Sequence, residues 1–248
     1  MTQETFETIR ESGVVAVLRG VDEGDPVAVA EALLAGGVDV IEVTADNADT
    51  PGTIRRLQSA VGDEATVGAG TVIDGPTAQS VIAAGAEFVV SPSSHADVIA
   101  TCNRHGVLVA PGIMTPTEAA EAYEQGADLV KVFPAKTVGP DHVAALRGPL
   151  SQIPLLPTGG VSPDNAAAFL EAGAVAVGAG SALVPGRPSR TETTRRSPAA
   201  PNGSVRSSTR RTRADGSPSR RSRVTGTIRF PGLEPYLVCV HGNRGDDG

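Results

Sequence analysis

Along the first 184 residues, short apolar runs return at nearly regular intervals. They read "GVVAVLRG" (13–20), "VDVIEVT" (38–44), "ATVGAGTV" (65–72), "AEFVVSP" (86–92), "GVLVAPGI" (106–113), "ADLVKVFP" (127–134), "PLLPTGGV" (154–161) and "AVAVGAGSALV" (174–184). The eight runs begin 20 to 27 residues apart. They are rich in Val and hydrophobic almost without a break, as strands covered on both faces are. The segments between them have helical spacing, as in "DPVAVAEALLAGG" (25–37), "GPTAQSVIAAGA" (75–86) and "SPDNAAAFLEAGA" (162–174). Each opens on a capping residue or a first-turn proline and closes on glycine. Gly37, Gly85, Gly126 and Gly173, each just before a strand, suit left-handed helix ends. Eight strand–helix units in order predict a (β/α)8 TIM barrel. An open doubly wound sheet is the alternative, but even repeats without a topological switch signal favour closure.

Composition removes several function classes. No apolar run approaches twenty residues and no charged-then-apolar leader follows Met1, so the expectation is a soluble, cytoplasmic protein with no membrane contact. Cys102 and Cys239 stand far apart in unlike contexts, which predicts neither a disulfide framework nor a metal knuckle. His95, His105, His142 and His241 show no ligand spacing, so no metal is expected. There is no G-x-S-x-G elbow, no long G-x-G-x-x-G unit and no Walker lysine, so neither acyl hydrolysis nor a nucleotide cofactor is expected.

In a barrel the chemistry gathers at the carboxyl ends of the strands. The polar and glycine residues late in the runs are Arg19, Glu42, Thr44, Thr71, Ser91, Lys131, Thr158, Gly159, Gly160, Gly180 and Ser181. Lys131 stands out, because the chain has only two lysines, Lys131 and Lys136, and places one in the middle of an apolar run. Such a lysine can snorkel from a strand end to a carboxylate. In a barrel mouth it reads better as a nucleophile, since burial favours an uncharged amine and an uncharged amine attacks a ketone to form a Schiff base. Glu42, in "VIEVT", suits either the counter-ion or a general acid/base with a raised pKa. The turns "PTGGV" (157–161) and "GAGSA" (178–182) end the last two runs, where barrels commonly hold phosphate on backbone N–H groups. Arg19 would add positive charge there, or serve as half of a salt bridge.

These residues carry a family resemblance. "SGVVAVLRG", "GGVDVIEVT", "VGAGTV", "AGAEFVVSP", "PGIMTPTE", "GADLVKVFPA", "LRGP", "LPTGGVSPDN" and "AVGAGSALV" occur in order over about 10–184. Together they resemble the 2-keto-3-deoxy-6-phosphogluconate (KDPG) aldolases, which also act on 4-hydroxy-2-oxoglutarate (KHG). The resemblance implies a metal-independent, cofactor-free class I aldolase on a (β/α)8 barrel, usually a homotrimer. Its substrate would be a phosphorylated keto-sugar acid, cleaved to pyruvate and glyceraldehyde 3-phosphate in an Entner–Doudoroff-type pathway. By motif, Lys131 would form the Schiff base and Glu42 would shuttle protons. Thr71 would contact the pyruvate carboxylate, and Pro92 and Phe133 would line the pocket. Thr158, Gly159, Gly160, Gly180 and Ser181, with Arg19, would hold the carboxylate and phosphate ends. One position departs from the pattern: four residues after the glutamate the family carries an arginine, and this chain carries Asp46. Loss of a bidentate carboxylate partner leaves the sugar-acid epimer and its phosphorylation state open. Another phosphate-binding barrel, an isomerase or a thiamine-phosphate-synthase-like enzyme, is the alternative and predicts no imine.

Charge divides the chain. Residues 1–184 hold 8 basic and 23 acidic side chains, a balance of −15, whereas residues 185–248 hold 13 basic and 5 acidic ones, a balance of +8. An acidic barrel with almost no lysine suggests a high-salt cytoplasm and activity that rises with molar KCl. The segment from 185 is rich in Arg, Ser, Thr and Pro and poor in aliphatic residues, the composition of disorder. It lacks interleaved aromatics, so nucleic-acid binding, or an inactive barrel serving as its adaptor, is the weaker reading. A frameshift is the preferred reading: synonymous codons for 186–198 exist that, read one frame over, encode an amphipathic string like the family's last helix. On that reading the barrel lacks its final helix.

Overall fold

The computed structural model describes residues 2–20 and 25–180. Ser181, the basic segment from 185 and the expected lack of a final helix all fall outside the described residues.

The eight apolar runs become eight positions of one parallel ring. In chain order the strands are β1 (Val14–Leu18), β2 (Val40–Thr44), β3 (Thr66–Gly70), β4 (Phe88–Val90), β5 (Leu108–Ala110), β6 (Gly112–Ile113), β7 (Val130–Val132), β8 (Leu155–Pro157) and β9 (Val177–Ala179). β5 and β6 are a single run interrupted at Pro111, which has no N–H to give to a ladder. The order β5-β4-β3-β2-β1-β9 continues through Pro111 into β6-β7-β8. A bridge from Thr158 to Gly178 closes β8 onto β9. The curled parallel sheet is TIM-barrel-like, and the open-sheet alternative fails at this closure.

Helices alternate with the strands: α1 (Thr2–Ser12), α2 (Pro26–Ala35), α3 (Thr50–Val61), α4 (Gly75–Ala83), α5 (Ala96–His105), α6 (Pro116–Glu124), α7 (Ala135–Arg147) and α8 (Pro163–Glu171). Asp25, Asp49, Asp74 and Thr115 cap α2, α3, α4 and α6 by accepting backbone N–H groups of the first turn. The four pre-strand glycines singled out in the sequence all have positive φ.

Two apolar clusters show which way each strand faces. The larger lies between strands and helices and takes residues such as Ile41, Val43, Val67, Val89 and Val130. The smaller contains Val15, Val40, Phe88, Val90, Leu108, Leu129, Leu156 and Ala176, and it is the interior of the ring. α1 was not evident in the sequence pattern. It brings Phe6 and Ile9 into this interior cluster and closes the amino end of the barrel. Because side chains on a strand alternate faces, Glu42 follows Val40 inward and Lys131 follows Leu129 inward.

Candidate active site

Lys131 and Glu42 are buried at the carboxyl side of the barrel interior, 4% and 1% exposed. Lys131 pairs in register with Gly112 of β6 and Leu156 of β8, and Glu42 with Val17 of β1 and Gly68 of β3. Room for the carboxylate comes from glycine. A Cβ at Gly70 would collide with the Glu42 carboxylate, and one at Gly68 would meet the Phe88 ring at 2.5 Å. The "GAG" of β3 is therefore the hollow into which its neighbours project.

Among the described residues, neither carboxylate oxygen of Glu42 has a hydrogen-bond partner. Burial pushes its pKa above the ordinary glutamate value, opposed by the positive charges of Lys131 and Arg19 and assisted by Asp46. Burial without a partner favours the protonated form, and the direction of the shift says that desolvation wins. The Lys131 ammonium forms no ion pair among the described residues. It stands 5.0 Å from the centroid of the Phe133 ring, within cation–π range. A buried amine and a buried carboxyl that share a chamber without neutralising each other can trade protons with a guest.

The rim divides into two parts. At the ends of β1, β2 and β3, Arg19 donates to Asp46 at 2.8 Å and to the Thr71 hydroxyl at 3.2 Å. Thr71 has φ 58, the one non-glycine residue with positive φ among the described residues. A β-branched residue held there stores on the order of 1–3 kcal/mol, a cost that clusters at functional sites. Asn47 steadies this corner by accepting from the Gly20 N–H at 2.9 Å and donating to the Thr44 carbonyl at 2.8 Å.

On the other side, Phe133, Thr158, Gly159 and Gly160 gather around the end of β8. Gly159 and Gly160 have φ 91 and 82, and the Phe133 ring lies against Gly159. Thr158 is buried, with its hydroxyl turned back to the Leu156 carbonyl at 3.4 Å. Pro92 follows β4 and packs its backbone on Gly112, the register partner of Lys131. Gly180 continues β9 beside Val17. The structure thus gathers every described candidate at one end of the ring, while Arg19 turns to β2 and β3 rather than serving the β8 turn.

Sequence reasoning passed over two features: Asp46 as the partner of Arg19, and Lys136, whose stem lies over Gly160. The scarcity of lysine was the available signal for Lys136. A concavity of about 360 Å³ between the first turns of α3 and α4 is lined by Asn47, Thr50, Pro51, Pro76 and Thr77. It includes neither Lys131 nor Glu42, and the chemistry argues for the barrel interior instead. No cluster of three metal-ligating side chains occurs among the described residues, and none of their helices is long and apolar enough to cross a membrane.

A TIM-barrel-like α/β fold with an amine and an unpaired carboxyl inside its carboxyl mouth defines the class of protein. Residues 6–195 match the KDPG and KHG aldolase family. The chain is 34% identical over 171 residues to the 2-dehydro-3-deoxy-6-phosphogalactonate aldolase of Escherichia coli K12, covering 68% of this chain and 83% of that protein. It is 38% identical over 172 residues to the KHG/KDPG aldolase of the same organism, covering 69% and 79%. A solved KDPG aldolase from Legionella pneumophila, with pyruvate captured at low pH as a covalent carbinolamine, aligns with TM-score 0.65 at 31% identity, over 73% of this chain and 88% of that one. This chain belongs to the KDPG and KHG aldolase family and is an aldolase, a carbon–carbon lyase.

Proposed function

We propose that the chain cleaves a phosphorylated 2-keto-3-deoxy sugar acid of the KDPG type to pyruvate and glyceraldehyde 3-phosphate, with Lys131 as nucleophile and Glu42 as proton shuttle. The uncharged amine of Lys131 adds to the C2 ketone, and loss of water from the carbinolamine gives an iminium. Glu42 as carboxylate takes the C4 hydroxyl proton. The C3–C4 bonding pair then moves into the iminium, releasing the aldehyde and leaving an enamine. The carboxyl returns the proton to C3, and water adds to the resulting imine to free pyruvate and the amine. A shuttle that both accepts and donates works best with a pKa above the ordinary carboxylate range, and burial moves Glu42 in that direction.

The single observation that carries this reading is the shared burial, on the inner face of the ring, of Lys131 and a Glu42 that has no hydrogen-bond partner among the described residues. In this assignment Thr71 and Arg19 receive the pyruvate carboxylate, and Pro92 and Phe133 border the reacting carbons. Thr158, Gly159, Gly160 and Gly180 are assigned to the phosphate end, and Ser181, outside the described residues, is assigned there by the family resemblance alone. The relatives' names divide between gluconate- and galactonate-derived acids, and the gluconate epimer is the one proposed here. A cytoplasmic homotrimer is proposed from the family resemblance.

Exchange of the pyruvate methyl protons with deuterium, followed by NMR, tests the chemistry without the sugar half of the substrate. The wild type is expected to exchange them, and K131M is expected not to. Folded wild-type protein that leaves the methyl group protonated would reject the assignment and favour another phosphate-binding barrel activity.

A further inference from the structure

Lys136 is the second of the chain's two lysines, five residues beyond Lys131 and in the first turn of α7. Its position is held firmly. The backbone N–H groups of Ala135 and Lys136 donate to the carbonyls of Thr158 and Gly159 at 2.8 and 2.9 Å, tying the turn after β7 to the turn after β8. Gly160, at φ 82, lies under the lysine stem. A Cβ there would come within 2.5 Å of Lys136 Cβ, 2.8 Å of Cδ and 3.0 Å of Cγ. The methylene chain is therefore braced on a glycine turn, while the residue as a whole is exposed and its ammonium forms no ion pair among the described residues.

The remaining cations of the described residues isolate this one. Arg19 is engaged by Asp46 and Thr71, and Lys131 is buried inside the ring. Arg10, Arg55, Arg56 and Arg104 lie on α1, α3 and α5, and Arg147 ends the second part of α7, beyond a non-helical break at Gly139, with its stem against Gly173. In a barrel that carries a balance of −15 over 1–184, an uncommitted cation beside a glycine turn at the mouth is, among the described residues, the group left for an anion. We infer that Lys136 binds the terminal phosphate of the substrate and sets the preference for phosphorylated over unphosphorylated sugar acids. The braced stem lowers the ordering cost that a free lysine would incur on binding. The compact ammonium suits a phosphate that already receives backbone N–H groups.

This inference rests on the aldolase reading, and its test separates the two. K136Q is expected to raise KM for 2-keto-3-deoxy-6-phosphogluconate about tenfold, with kcat within about twofold and kcat/KM for the unphosphorylated acid unchanged. K136R is expected to recover most of the loss. Binding of inorganic phosphate, followed by phosphorus NMR, is expected to weaken in K136Q and persist in K136R, and this readout needs no imine. Borohydride trapping of pyruvate reports the aldolase site separately and is expected to be equal in wild type and K136Q. Unchanged phosphate binding and unchanged KM in K136Q overturn the role of Lys136. So does an equal loss on both substrates, which marks a structural effect. Failure of trapping in the wild type rejects the aldolase reading instead, and phosphate binding then decides Lys136 by itself.

Discussion

The two halves of the barrel mouth treat positive charge in opposite ways. At the ends of β1 to β3, Arg19 is paired with Asp46 and hydrogen-bonded to a strained Thr71, so a substrate carboxylate received there meets a charge already compensated. At the ends of β7 and β8, Lys136 is braced through its stem only, and its charge is left unspent among the described residues. Between them the chamber holds an amine and a carboxyl that form no ion pair. The contrast teaches that the count of cations around a site says little about its affinity for anions. What matters is which charges are already compensated.

The largest effect should come from removing the group between the two halves. E42Q is expected to lower kcat about 10²–10⁴-fold, measured by coupled detection of pyruvate. Its stability should change in the opposite sense. A carboxyl whose folded pKa is raised contributes fully below its unfolded pKa and loses that contribution as pH rises through the folded value. Glutamine has no such loss. Thermal melts of E42Q should therefore match the wild type in acid and exceed it progressively above the ordinary carboxylate range.

G70A keeps both titrating groups and disturbs only the hollow. Its Cβ would occupy the space of the Glu42 carboxylate, so that side chain must move. A displacement of about 1 Å in a catalytic group can cost about 10²-fold, and a kcat loss of that order with borohydride trapping retained is the expected pattern. Equal loss of trapping would instead show a collapsed barrel.

The smallest effect belongs to the rim. D46N leaves Arg19 uncompensated, and an uncompensated positive charge lowers the Glu42 pKa. The acid limb of the kcat–pH profile should move to lower pH, with a few-fold change in rate near neutrality. Stability should change by no more than about 1 kcal/mol, because both partners of the pair are more than a third exposed. An unmoved acid limb would break the comparison, since Asp46 would then not offset Arg19 at the shuttle.

Much of this was legible in the sequence for simple reasons. Period-two alternation places Glu42 on the face of Val40 and Lys131 on the face of Leu129, so barrel periodicity alone brings the pair inside. α1 was not legible, because "TQETFETIRES" offers only Phe6 and Ile9 as apolar positions and owes its place to docking beneath the ring. The break at Pro111 divided a strand that the hydrophobic run presents as one. Asp46 registered only as a lost arginine. Its pairing with Arg19 spans 27 residues and the Thr71 contact spans 52, distances over which spacing carries no information.

The central claim is that Lys131 is a nucleophile, and borohydride trapping with pyruvate in high salt, followed by peptide mass mapping, tests it most directly. The account predicts a reduced pyruvyl adduct on the peptide bearing Lys131 and none in K131M. Folded protein that carries no adduct, or carries it on Lys136, would contradict it.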